Sequence, residues 1–250
     1  MTSPQPKRPT ALIEDLVTST RILINENVLD VFGHVAFRDP LHSEIFWMAA
    51  AGAPAQVTPE DVLPFDLDGN PIGASDAPVF VERFLHAAVF KACGELHASC
   101  HHHAEALMPY CLGARSLGAS SQTGGWMGAK VPLWDSRTRF GDTSMVVTNM
   151  AQAEDLILTM GASTIVLLRG HGALVCGASL QDMTFRAVHA CREARCNTIA
   201  GSIGSVTMLS DGEIALSATI TPAAIQRSWD HWKSQLPAIT HHPTTKGIQR

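Results

Sequence analysis

Histidines concentrated in two short segments are the residues of this chain best suited to bind a metal ion. Residues 100–103 read Cys-His-His-His, and about seventy residues later 168–172 read Leu-Arg-Gly-His-Gly. Because side chains alternate across a β-strand, His101 and His103 project from the same face. If His171, held between two glycines, meets that face, three imidazoles can bind one divalent ion and leave a position open for chemistry.

The alternative for each histidine is an ordinary structural role. A single histidine of this kind is more often a hydrogen-bonded core residue or part of a solvated polar edge. The combination of His-x-His with a Gly-His-Gly corner favours the metal site. His102, on the other face of the strand, is expected to be structural or to lie at a subunit contact. Imidazole ligands alone do not select between zinc and manganese.

A carboxylate lies in the segment just before the His-x-His strand. Glu82 and His86 are four residues apart in a predicted helix and would share a face of it. A carboxylate near a bound cation can act as a fourth ligand or as an acid and base. The alternatives are an exposed helix carboxylate for Glu82 and simple packing for His86. The apolar neighbours of Glu82 favour a partly buried setting.

The elements that must position these residues follow from periodicity and turn signals. The pattern predicts one α/β domain over 10–235, with helices flanking a central sheet. The predicted helices are 10–27, 78–93, 149–160, 180–201 and one from about 221. A further helix start is predicted at Thr58. The predicted strands are 34–38, 44–48, 65–67, 95–102, 163–168 and 173–176. Residues 113–143 should form loops and short strands, 1–9 a disordered N-terminus, and 236–250 a flexible tail.

Composition narrows the classes of function. The chain has 250 residues, 46% hydrophobic and 16% charged, with a formal net charge of −5, so it has no basic surface typical of nucleic-acid binding. No apolar run reaches the length of a membrane span. Six cysteines without a Cys-x-x-Cys pair suit a reduced, cytoplasmic setting. The polar, proline-rich start lacks the apolar core of a signal peptide. A small molecule is the expected partner.

Three segments together resemble the class II aldolase/adducin family. They are Glu82-x-x-x-His86, His101-x-His103 and the run at 168–177, in the family's order and spacing within about residues 12–215. The resemblance implies a single-domain α/β/α fold with a central, mostly antiparallel sheet. It also implies a homotetramer with active sites near the subunit interfaces. The implied metal ligands are His101, His103 and His171, with Glu82 as a ligand that doubles as acid and base.

The chain departs from the family's sugar-phosphate aldolases where they bind phosphate. Those enzymes use Gly-Asn-x-Ser, Thr-x-Ser-Gly and Ser-Ser segments. The corresponding residues here are Gly-His-Val-Ala at 33–36, Ala-Ala-Gly-Ala at 50–53, and Phe80-Val81. A phosphate would therefore lose most of its donors. The segments 33–40, 58–61 and 65–70 are instead similar to the family's decarboxylase branch.

That branch acts on hydroxylated aromatic or pyridine dicarboxylates and on carboxylated products of ring cleavage. The resemblance thus implies a decarboxylase with one divalent ion per subunit, Mn²⁺ or Zn²⁺, other divalent ions being possible. His34 and Arg38 are candidates to hold substrate carboxylates, since arginine makes bidentate contacts with them. The alternative for Arg38 is a surface turn residue. Two other functions remain open: an aldolase or epimerase acting on an unphosphorylated hydroxy acid or sugar, and a non-catalytic scaffold like the adducin head, which lacks the metal histidines.

Overall fold

Seven strands form one sheet at the centre of the computed structural model, which describes residues 6–73, 75–113 and 115–238. The strands are β1 (His34–Arg38), β2 (Ile45–Ala49), β3 (Val62–Asp66), β4 (Ala98–His102), β5 (Leu133–Trp134), β6 (Ile165–Leu168) and β7 (Gly172–Gly177). Their order is β3-β2-β1-β4-β7-β6-β5, which puts β4 in the middle. All neighbours are antiparallel except β5 and β6. The expected mostly antiparallel sheet is confirmed.

Helices cover both faces of this sheet. They are α1 (Thr10–Asn25), α2 (Arg83–Ala92), α3 (Met108–Cys111), α4 (Arg137–Phe140), α5 (Met150–Met160), α6 (Leu180–Ile203), α7 (Asp211–Ser217) and α8 (Pro222–Ser234). Short 3-10 helices lie at Pro54–Gln56, Pro59–Asp61 and Gln122–Met127. No helix within the described residues is both long and apolar enough to cross a membrane.

Alternation along the strands divides the core into two apolar layers. Cys100 and Val175 belong to the layer with α1, α6 and α8, whereas Leu174 belongs to the layer with α2 and α5. The period of two therefore turns the side chains of His34 and His101 toward α2 and α5. The sheet thus directs the chemistry-bearing residues of neighbouring strands to one face.

Two predicted helix starts were wrong. The helix expected over 78–93 begins only at Arg83. Ala51 donates to the carbonyl of Pro78 (2.7 Å), which holds the start of that stretch beside the end of β2 instead of in a helix. Glu82 is therefore the residue that precedes the helix, not part of a face shared with His86. The helix start at Thr58 yields one 3-10 turn, because β3 follows at Val62.

The predicted termini are described only in part. Residues 1–5 and 239–250, most of the proposed disordered start and flexible tail, lie outside the described residues. The domain limits of 10 and 235 stay a prediction. Between 113 and 143 the described residues contain loops and the short strand β5, as expected. The 3-10 helix at Gln122–Met127, α4 and α7 were not predicted.

Candidate metal centre

Four side chains from three parts of the fold meet on the α2 and α5 side of the sheet. His101 lies near the end of β4 and His103 follows that strand, while His171 lies in the turn before β7. Glu82 comes from the segment before α2. β4 and β7 pair from Ala98↔Gly177 to His102↔Ala173, which carries the two histidine segments to the same edge. One ligand atom from each of the four residues lies within 4.8 Å of every other.

The distances within this cluster suit a single ion. Nε2 of His103 lies 3.0 Å from Nε2 of His101 and 3.1 Å from Nε2 of His171. Oε2 of Glu82 lies 3.3 Å from Nε2 of His101 and 3.6 Å from Nε2 of His171. Two atoms that bind one ion at about 2.1 Å lie roughly 3.0–3.4 Å apart for angles of about 90–109°. Three of these four distances fall in this range and the fourth, at 3.6 Å, is slightly longer, so small side-chain shifts would bring all four donors onto a common ion.

The other ring nitrogen of each histidine faces an oxygen acceptor. Nδ1 of His101 lies 3.1 Å from the carbonyl of Ala173, and Nδ1 of His171 lies 2.9 Å from the carbonyl of Met145. Nδ1 of His103 lies 3.2 Å from both carboxylate oxygens of Asp30. Each Nδ1 therefore donates its proton outward, and three Nε2 lone pairs point at one another. Their mutual repulsion is relieved by a cation, so the residues fit a divalent metal.

The electrostatics keep the imidazoles of His103 and His171 neutral and the carboxylate of Glu82 charged. Burial and the neighbouring His101 lower the pKa of His171 to about 4, and the same causes lower the pKa of His103. Burial alone would raise the pKa of Glu82, but His101 and His171 bring it down to about 2. Neutral imidazoles and an ionised carboxylate are the forms that bind metals. The backbone N–H of Val147 donates to Oε1 of Glu82 (3.1 Å) and orients it.

His34 lies next to this cluster, on the strand beside β4. His34 pairs with His101 across β1 and β4, and their ring centroids are 5.3 Å apart. Nδ1 of His34 lies 2.7 Å from Nε2 of His86, whose Nδ1 lies 2.7 Å from Oγ of Ser99. Burial lowers the pKa of His34 well below its usual value and that of His86 to about 3. Both rings are neutral at neutral pH.

Glycine is required at the start of this strand. A Cβ atom at Gly33 would lie only 2.9 Å from the carbonyl oxygen of His101, and closer still to Leu29. A side chain there would push β1 away from β4. It would thereby separate His34 from the ligand cluster, which consists of Glu82, His101, His103 and His171. Gly33 thereby allows the close approach of the two histidine-bearing strands.

Arg38 has neither of the roles considered for it. It is 7% exposed, so it is not a surface turn residue. It lies at the far end of β1 from His34, where its backbone N–H donates to His97. Its guanidinium donates to four main-chain carbonyls, those of Ser43, Phe90, Cys93 and Leu96. These contacts connect β1 to the segment before β2 and to the end of α2. Because its donors are engaged there, Arg38 directs none of them at the ligand cluster.

The three segments that replace the phosphate-binding segments converge beside the cluster. Gly33, His34, Gly52 and Phe80 line one small pocket. The complete lining is Leu16, Thr20, Gly33, His34, Val35, Ala49, Gly52, Pro54, Val57 and Phe80. Its one hydroxyl, on Thr20, donates to the carbonyl of Leu16 (2.9 Å). The pocket offers an imidazole among apolar groups in place of hydroxyl donors.

Sequence reasoning did not single out two residues at this site. Asp30 orients His103 and also accepts from the backbone N–H groups of Phe32 and Gly33. No residue spacing in the sequence indicates the role of Asp30, because Asp30 and His103 are 73 positions apart in the chain. Ser99 could have been found, since it lies two residues before His101 and so shares its face. His102, on the opposite face, is fully buried.

Comparison with known proteins places the chain in a family. Residues 14–198 match the class II aldolase and adducin N-terminal domain. The chain belongs to the class II aldolase/adducin family. Its sequence is similar to that of decarboxylase tropJ of Talaromyces stipitatus. The two are 24% identical over 244 residues, which cover 88% of this chain and 92% of that protein.

Solved structures support the same class II aldolase fold. L-fuculose 1-phosphate aldolase from Glaciozyma antarctica superposes with a TM-score of 0.74 at 19% identity, covering 94% of this chain and 93% of the other. An aldolase II superfamily protein from Pseudomonas syringae gives a TM-score of 0.75 at 20% identity, covering 92% and 94%. At these identities the likeness speaks for the fold alone.

Proposed function

We propose that this member of the class II aldolase/adducin family is a decarboxylase that depends on a divalent metal. Its proposed substrate is a hydroxylated aromatic or heteroaromatic dicarboxylate, or a related product of ring cleavage. The main support is the pocket beside the ligand cluster, in which His34 and Phe80 stand where phosphate-binding hydroxyls would be needed. The similarity to a decarboxylase over most of the chain points the same way.

The residues at the site have complementary proposed roles. His101, His103, His171 and Glu82 would hold the ion, which when bound supplies a Lewis acid for the negative charge left as a C–C bond breaks. His34, the neutral imidazole in the pocket, is proposed to hold a substrate carboxylate. Arg38 is not part of this proposal.

Proton movement is assigned to Glu82. Glu82 is ionised at neutral pH because its pKa is low, and this carboxylate can accept the proton of a substrate hydroxyl that a bound cation would acidify. It then returns that proton to the carbon from which CO₂ departs, and solvent protonates the oxygen. The net reaction exchanges one carboxylate for one proton. Since the cluster brings Oε2 within 3.3 Å of His101, the carboxylate must move between a ligand position and a proton-transfer position.

The proposal extends to assembly and location. We infer one Mn²⁺ or Zn²⁺ per subunit, a homotetramer with active sites near the subunit interfaces, and a cytoplasmic setting. Light scattering on the purified protein would test the tetramer directly.

A CO₂-release screen tests the reaction. The purified protein is stripped with a chelator, reloaded with Mn²⁺ or Zn²⁺, and offered a panel of hydroxy-dicarboxylates. We expect CO₂ from at least one compound, only with added metal. Release that is equally fast without metal would contradict the proposal.

Metal analysis tests the ligand set separately. We expect His101→Ala and His171→Ala to contain almost no metal after the same loading that fills the wild type. His97→Ala is the matched control, because His97 is an exposed histidine just before β4. Full metal in both cluster variants would refute the ligand assignment.

An aldolase or epimerase acting on an unphosphorylated hydroxy acid or sugar is the second candidate. Several solved structures with this fold are sugar-phosphate aldolases, and the same ligand cluster could serve such a reaction. It would form an aldehyde, or invert a stereocentre, without releasing CO₂. An adducin-like scaffold is disfavoured by the assembled cluster.

A further inference from the structure

Three buried polar side chains form a hydrogen-bonded row beside the ligand cluster. Ser99 on β4, His86 on α2 and His34 on β1 are connected by two contacts of 2.7 Å. Ser99 and His86 are fully buried, and His34 is 3% exposed. None of the three belongs to the proposed ligand set. His34 is the member of the row that reaches the small pocket, where its ring lies 4.6 Å from that of Phe80.

The hydroxyl of Ser99 sets the direction of this row. Within residues 6–73, 75–113 and 115–238, its Oγ has no hydrogen-bond partner except Nδ1 of His86. If Nδ1 of His86 carried the proton, the hydroxyl hydrogen of Ser99 would be buried without an acceptor, at a cost of about 1–3 kcal/mol. The hydroxyl therefore donates to Nδ1 of His86.

The remaining protons follow from that choice. A neutral imidazole carries one N–H, so the proton of His86 is on Nε2 and is donated to Nδ1 of His34. The single proton of His34 then lies on its own Nε2. Every donor in the row has an acceptor except this last N–H, which is left for a ligand.

We infer that Ser99 and His86 are positioning residues that fix His34 as an Nε2–H donor, and that His34 therefore receives an oxygen acceptor such as a substrate carboxylate. This inference rests on the proposed function. The Nε2–H of His34 makes this side of the site a hydrogen-bond donor. Nδ1 of His34 accepts from His86, so toward the substrate His34 acts neither as a base nor as an acceptor. A substrate that presents an ammonium group here, which can only donate, would meet an N–H and be rejected.

Nitrogen NMR reads this tautomer without any substrate. The holoenzyme is loaded with diamagnetic Zn²⁺ and labelled with ¹⁵N at histidine, and the His34 signals are assigned by their loss in His34→Gln. We expect Nε2 of His34 to be protonated and Nδ1 to be bare, with the same tautomer for His86. A protonated Nδ1 on His34 would overturn the inference. Because no turnover is needed, this result stands even if the decarboxylase proposal fails.

Ser99→Ala tests the cause, with Ser99→Thr as the matched control that keeps a hydroxyl. In Ser99→Ala we expect the His34 signals to shift toward a mixture of tautomers at unchanged metal content. If the donor tautomer falls to a given fraction, the apparent affinity for a carboxylate ligand falls to the same fraction of its original value. A donor fraction between about one half and one tenth would therefore raise KM roughly two- to tenfold with kcat little changed. Ser99→Thr should keep the wild-type spectrum and KM.

The two measurements constrain each other. The rise in KM should match the inverse of the donor fraction seen by NMR, a relation that mere loss of packing would not produce. A Ser99→Ala protein with the wild-type tautomer would overturn the role of Ser99. If Ser99→Ala does not fold, the wild-type spectrum still decides the tautomer. If no substrate is turned over, the decarboxylase proposal fails, whereas the spectra still test the row.

Discussion

The buried imidazole of His102 should make the stability of the folded chain depend on pH. His102 lies on the face of β4 opposite to the ligand cluster and is fully buried. Its Nε2 has no hydrogen-bond partner among the described residues, and its Nδ1 meets only the backbone N–H of Ala104, at 3.4 Å. Burial, followed by the neighbouring His101 and His103, lowers its pKa from 6.5 to about 3.

The sign and size of the effect follow from these two pKa values. Between about pH 3 and pH 6.5 the unfolded chain binds a proton at this position and the folded chain does not, so the folded state loses stability as the pH falls below 6.5. At about 1.4 kcal/mol per pH unit, lowering the pH from about 7 to about 5 costs roughly 2 kcal/mol for this one histidine. Against a typical stability of about 5–15 kcal/mol, that loss is readily measured.

The perturbation is His102→Leu, which removes the titrating ring and fills the site with an apolar side chain. Urea unfolding of metal-free wild type and variant, at one protein concentration, gives the free energy of unfolding near pH 7 and pH 5. We expect the variant to lose about 2 kcal/mol less than the wild type over this interval. At pH 7 its stability should change little, because a buried polar atom without a partner is removed.

An equal loss in both proteins would refute the reasoning. It would mean that His102 takes up a proton while the chain is folded, which requires an acceptor or water at Nε2. The other buried histidines, His34 and His86, contribute to the total slope in both proteins and cancel in the comparison.

Three further predictions concern the ligand cluster and its supports. Asp30→Asn should weaken metal affinity about 10- to 100-fold, because a charged acceptor of His103 is replaced by a neutral one, and titration against a competing chelator would detect this. Arg38→Met should lower the free energy of unfolding by about 2–4 kcal/mol through its lost carbonyl contacts, with metal content per folded molecule unchanged. A raised KM at unchanged stability would instead mean that Arg38 binds substrate. Saturating Zn²⁺ at 100 times its dissociation constant should raise unfolding stability by about 2.7 kcal/mol, which thermal scans with and without chelator would check.

The ligand cluster was predictable because local rules determine it. A strand period of two selects His101 and His103, and a Gly-flanked corner supplies His171, so the predicted set meets in space. Glu82 was also named, although its helical setting was wrong. That error arose from a contact between Ala51 and Pro78, which no local propensity could reveal.

Arg38 and Asp30 show where sequence reasoning stops. Arg38 beside Asp39-Pro40 has the local signature of a turn, yet the carbonyls it holds belong to residues up to 58 positions away. Asp30 reaches His103 across 73 positions. Both roles depend on which strands and loops become neighbours, and composition and periodicity do not specify this.

The origin of the four cluster residues has a consequence for how an ion would be exchanged. His101 and His103 are anchored by β4, the middle strand of the sheet, where backbone opening costs close to the global free energy of unfolding. Glu82 comes instead from the segment before α2 and is oriented by a single backbone contact from Val147. Segments outside the central strands generally open locally at less cost than the sheet itself. An ion should thus enter and leave on the Glu82 side, at a rate governed by this segment, while the imidazoles stay in place.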